Sequence, residues 1–253
     1  MKGQSEMKQY EHSLKISRCF RITAIFTTLI FMQSSLFAGE DISGLLAKKG
    51  PAAKEVLTKP TITRITDLPN LPVSSKQYEF FIEHPRLSII LARICDPSLD
   101  LYSVSVRPDG LIHVDDPAGL AGDVEVISAS RGKRVYFISG YYDLLKIRFH
   151  GHVLMVTEYS EKKVGDTVSV DTKVTNYIKV NSAVAGAFAR IINFLFPKKV
   201  DGRIGRFANA VRIVAFSVNS DPDGAYNKLA VSGEVDLKEL KEFAAMFVRK
   251  REH

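Results

Sequence analysis

Tryptophan is absent from the chain, and only two of its 253 residues are cysteine. That is too few for a disulfide scaffold, and no Gly-X-Y or heptad period runs through it, which excludes collagen and coiled coil. Familiar catalytic signatures are missing as well. There is no Gly-x-Ser-x-Gly elbow and no His-Glu-x-x-His helix, and Gly202-Arg-Ile-Gly205-Arg lacks both the preceding strand and the Gly-Lys-Ser/Thr ending of a phosphate loop. Long apolar runs are scarce too. The run Ile22–Met32 spans eleven residues, short of the roughly 20 needed to cross a bilayer as a helix.

What is present at the N-terminus is a targeting pattern. Lys2, Lys8, Lys15, Arg18 and Arg21 precede the apolar run, and Leu36-Phe37-Ala38-Gly39-Glu40 follows it. A basic region, a short apolar core and a small residue before a polar start read as a secretory signal peptide over residues 1–38, cleaved after Ala38. An uncleaved membrane anchor is the alternative, since Leu36 is bulky for its place. The whole chain carries 35 Lys+Arg against 28 Asp+Glu, a net +7. The leader holds five of those bases and two of the acids, so the remainder carries 30 and 26, a net +4. The excess charge therefore speaks for export and not for nucleic acid. Cys19 leaves with the leader, and Cys95, next to the apolar stretch Leu87–Ile94, is expected to be a buried inert thiol.

Residues 39–73 read as an N-terminal arm punctuated by Gly44, Gly50-Pro51, Pro60, Pro69 and Pro72, with one short helix near Ala52–Leu57. Residues 74–253 read as a single α+β domain. Ser74 with Gln77 gives a capping-box helix start, and His84-Pro85 breaks that helix and begins another through Ile94. From Leu101 the apolar period falls to two. Six strands follow, near Leu101–Val106, Leu111–Asp115, Asp123–Ser128, Arg134–Tyr141, Lys146–Tyr159 and Thr167–Asn181. Short turns join them, which predicts an antiparallel meander packed against helices. Two C-terminal helices are predicted at Ala183–Phe196, stopped by Pro197, and at Arg203–Val218; two more follow, opened by Asp221-Pro222 and centred on Leu237–Phe247.

Alternation assigns faces. Ile147, Phe149, Gly151, Val153 and Met155 point one way and Arg148, His150, His152 and Leu154 the other; Val168 through Val180 present Val170, Thr172, Val174, Asn176 and Ile178 on one side. His150 and His152 share a face and would begin a metal site, but no third ligand is near in sequence, and a solvated or half-buried sheet face is expected. Asp115-Asp116 and Asp123 around Gly119 and Gly122 read as turn chemistry, with no oxygen-ligand spacing. Lys198, Lys199, Arg203, Arg206 and Arg212 form a basic stretch that suits an anionic membrane surface reached through the first four, a phosphorylated ligand, or a solvated helix face. No cofactor is indicated.

The order of a helix pair, a six-stranded meander with one apolar side and then an apolar helix, over about Ser74–Val218 with glycines in Ile138-Ser-Gly-Tyr-Tyr142 and Phe149-His-Gly-His152, resembles the helix-grip fold of the START and Bet v 1-like superfamily. That resemblance implies a hydrophobic small molecule or lipid held between a curved sheet and the C-terminal helix. It makes Phe137, Phe149, Val153, Met155, Val174, Ile178, Phe188 and Ile192 the expected ligand-binding residues. The alternatives are an envelope hydrolase or metal-dependent enzyme using His150 and His152, and a structural interaction module of the cell envelope. The helices added after the gripping helix leave a further question, whether they fill the sheet's apolar side as an ordinary core.

Overall fold

The computed structural model describes residues 42–99, 103–116, 119–144, 147–181 and 189–248. The expected signal peptide and Cys19 lie outside them. The chain divides into two units, Met1–Lys48 and Lys49–His253. In the first, helix α1 (Ile42–Ala47) is the described element.

The second unit runs α2 (Pro51–Thr58), β1 (Ile62–Leu71), α3 (Ser75–Glu83), α4 (Pro85–Cys95), β2 (Ser103–Val106), β3 (Ile112–Asp116), β4 (Leu120–Ser130), β5 (Lys133–Leu144), β6 (Ile147–Val164), β7 (Thr167–Val180), α5 (Ala189–Ser220), α6 (Pro222–Ser232) and α7 (Leu237–Phe247). All six predicted strands form, in antiparallel order, and a seventh joins them: β1 closes the sheet as β1-β7-β6-β5-β4-β3-β2. The sheet therefore has seven strands, not six. Pro69 hid β1 by lying inside it; the strand tolerates the missing N–H because it is an edge, and pairing slips between Leu68 and Leu71.

Local chemistry sets the helix ends. Ser74 Oγ accepts from the Gln77 backbone N–H while the Gln77 side chain accepts from Ser74 N–H, the reciprocal cap expected. Pro85 opens α4, Asp221 and Asp236 cap α6 and α7, and Gly233 closes α6 in the left-handed region at φ 68°. Helix α5 departs from expectation. It passes through Pro197, Gly202 and Gly205 as one element of 32 residues. An interior proline costs a backbone hydrogen bond and about 3 kcal/mol, but the stripe Val200, Ile204, Val211, Val214 and Val218 stays in register along the helix and packs inward, so tertiary burial overrides the local signal.

Both faces of the sheet are covered. On the outer face, α2 packs against β6 and β7, with Ala53 and Val56 on the helix and Val135, Phe137, Leu154 and Val156 on the strands all buried. The added helices do not fill the inner side. Helix α6 packs on α4 and α7 packs on α6, and Leu87, Leu91, Leu229, Leu240 and Phe243 join one core cluster with Leu68, Tyr78 and Phe80. Phe243 lies tilted against Phe247 at 4.7 Å and meets Phe80 edge-on at 6.3 Å. Cys95 is half-buried instead of fully enclosed, and its thiol donates to Ser217 Oγ at 3.1 Å.

Candidate functional site: a cavity between sheet and helix

The inner face of the sheet is built in rungs that register fixes. Leu120, Tyr142 and Phe149 lie side by side at one end; then come Gly122, Gly140 and Gly151, then Val124, Ile138, Val153 and Ile178, then Tyr136, Met155 and Asn176. Three adjacent glycines on three strands let the backbones approach too closely for any side chain. A Cβ on Gly140 would stand 2.3 Å from the Ala121 carbonyl oxygen, and one on Gly151 would stand 2.4 Å from that of Lys179. Such a rung is where a sheet bends. The space between the sheet and helices α4 and α5 is a cavity of about 440 Å³.

Its wall is almost wholly carbon. Phe149, Val153, Met155, Val174 and Ile178 line it, as do Val104, Val114, Ile89 and Pro85 from β2, β3 and α4, and Ile204, Phe207 and Val211 from α5. Phe137 does not. It pairs with Leu154 across β5 and β6, so it points to the outer face, where its ring stacks on His152 at 5.4 Å. Strand β5 is apolar on both faces because both are covered, so its alternation carries no directional signal and only the register decides. Phe188 lies outside the described residues, and so do the side chains of Ile192, Lys198 and Lys199.

Polar groups mark the cavity's ends. At the glycine end Arg203, 16% exposed, turns into the cavity wall, and its Nη1 meets Asp116 at 2.7 Å, with Asp116 only 1% exposed. The carboxylate read from sequence as turn chemistry is thus half of a buried ion pair, and Arg203 is not part of a membrane-facing basic stretch; Arg206 is exposed. At the far end Tyr159 donates to Glu79 at 2.7 Å, and Arg134 lies 3.6 Å from Glu83. Burial pushes the Tyr78 hydroxyl up to about 12 and, with repulsion from Tyr78, moves Tyr136 higher still. These phenols therefore stay protonated.

His150 and His152 project from the opposite face, as predicted. His152 Nδ1 is 3.1 Å from Ser139 Oγ, and His150 lies beside Tyr141. Burial holds the His152 imidazole below its ordinary pKa of 6.5. Among the described residues no group of three His, Cys, Asp or Glu side chains stands together as a metal site would require. Sequence reasoning missed Tyr136, Arg203 and the α4 wall. Asn176 did carry a signal, being with Thr172 one of two polar interruptions in an otherwise apolar alternating face.

No protein-family model matches the chain, and no curated protein matches it. Solved structures do. The crystal structure of Ara h 8.0201, a Bet v 1-family allergen, aligns over 62% of this chain and 98% of its own at 13% identity, with a TM-score of 0.37. A protein from Rhizobium leguminosarum aligns over 60% of this chain and 93% of its own at 14% identity, with a TM-score of 0.32.

Proposed function

We propose that this is an exported binding protein for an apolar or amphipathic, lipid-like small molecule, held between the bent sheet and helix α5. The cavity carries this reading. Its volume of about 440 Å³ falls within the roughly 300–1,000 Å³ of small-molecule pockets. Its wall also remains open: Val104, Val114, Val124, Ile138, Val153 and Ile178 are only half-buried although they face inward. A contiguous apolar wall left accessible to water marks a surface that gains by being covered, and the hydrophobic effect then supplies the affinity. The basic segment, the run Ile22–Met32 and Ala38-Gly39 support export.

Native mass spectrometry of the protein recovered from the cell envelope or medium tests both parts. The expected result is a chain beginning at Gly39 that carries, or takes up, one molecule of fatty acid, sterol or phospholipid. A protein that is consistently empty and binds none of these refutes the binding reading, and a full-length cytoplasmic chain refutes export.

A further inference from the structure

Three polar side chains on the cavity wall lack a partner. Tyr136, Asn176 and Thr157 are 8%, 8% and 6% exposed, and all three line the cavity. Among the described residues none of the three side chains makes a hydrogen bond. Their polar atoms are not sealed in the core but reach the cavity, where a partner comes from outside the chain, either water or a bound molecule.

These side chains form one band. Tyr136 and Asn176 flank Met155 from the two neighbouring strands, and Thr157 lies two residues along β6 on the same face. Their backbones span two strand spacings of about 4.8 Å each. A phenol donates and an amide both donates and accepts, so a single hydroxyl over Met155 has a donor on one side and an acceptor on the other. The arginines nearest this band and at the cavity's other end already face carboxylates: Arg64 with Asp201, Arg134 with Glu83 and Arg203 with Asp116. A carboxylate or ammonium brought to the band would be stripped of water with no opposite charge to meet it.

We infer that the cavity selects a neutral amphiphile, an apolar body bearing one hydroxyl or carbonyl oxygen that docks between Tyr136 and Asn176. This rests on the binding reading above and names the chemistry of its ligand. Carbon contacts supply affinity, and the polar band sets orientation and rejects ionised head groups.

Displacement of fluorescent N-phenylnaphthylamine from the mature protein by dodecane, dodecanol and dodecanoate tests it at constant chain length. Dodecanol is expected to bind about tenfold more tightly than dodecane and tighter than dodecanoate; Tyr136→Phe and Asn176→Leu each cut the dodecanol-to-dodecane affinity ratio about three- to tenfold. Because the Tyr136 hydroxyl has no partner in the protein, Tyr136→Phe should keep or raise the melting temperature, which separates lost recognition from lost folding. Equal binding of dodecane and dodecanol, tighter binding of dodecanoate, or an unchanged ratio in both variants overturns the inference while leaving apolar binding intact. Failure of the probe and all three compounds to bind overturns the binding reading, and the inference with it.

Discussion

Replacing Gly140 by alanine tests whether the glycine rung shapes the cavity. The added Cβ would sit 2.3 Å from the Ala121 carbonyl oxygen and 2.8 Å from Gly122 Cα. Both are backbone atoms of β4, the strand paired with β5 at this point, so no side chain can rotate away. Ordinary contact begins near 3.4 Å, so the two strands must part by about 1.1 Å. A hydrogen-bonded ladder cannot open that far and keep its bonds. Overpacking of this kind costs about 1–3 kcal/mol, and disturbed pairing places it at the upper end. For a chain of this size about 3 kcal/mol is a fall in melting temperature of roughly 6–12 °C. Gly202→Ala is the matched control. Gly202 lies within α5, and a Cβ there meets nothing within 4 Å. The same substitution should stabilise by about 0.5–1 kcal/mol, because a helical glycine forfeits conformational entropy. Thermal denaturation followed by circular dichroism reads both. If Gly140→Ala melts with or above the wild type, the strands do not approach as described and the bend has another origin.

Other outcomes follow from the same contacts. Arg203→Met removes the ion-pair partner of Asp116, which is 1% exposed, and should cost about 3–5 kcal/mol in denaturant unfolding, while Asp116→Leu with Arg203→Met restores most of it; equal losses in the single and double variants would contradict the pairing. Phe243 is 0% exposed, so Phe243→Ala should cost about 3–5 kcal/mol, and a loss near zero would mean that α7 lies outside the core. His152 is held below 6.5 by burial, so the unfolded chain takes up that proton first as pH falls. Stability should therefore be unaffected by this group above 6.5 and decline below it, and His152→Gln should flatten that decline in melting curves across pH; an unchanged slope refutes the assignment.

Much of the architecture is legible in the residues. Helix ends depend on nearest neighbours, so Ser74 with Gln77, Pro85 and Asp221 announce where helices begin, and Gly233 where one stops, without help from the rest of the chain. The faces of β7 are equally readable, since Val174 and Ile178 alternate with Lys173, Thr175, Tyr177 and Lys179, and the structure sets them with Val153 and Met155 along one cavity. Where burial is two-sided the period loses its meaning. Phe137 lies between inward Tyr136 and Ile138 on a strand apolar throughout, and only its pairing with Leu154 turns it outward.

The sequence by itself determined local conformation and the alternation of faces, because capping, turn geometry and side-chain periodicity act over a few residues. Tertiary structure decided the remainder. It carried α5 through Pro197, recruited β1 as the seventh strand, and turned Arg203 from a basic stretch onto Asp116. It also left a cavity where the added helices would have made a core. Each of those outcomes joins groups tens of residues apart, where the deciding energies are long-range burial, register and charge pairing.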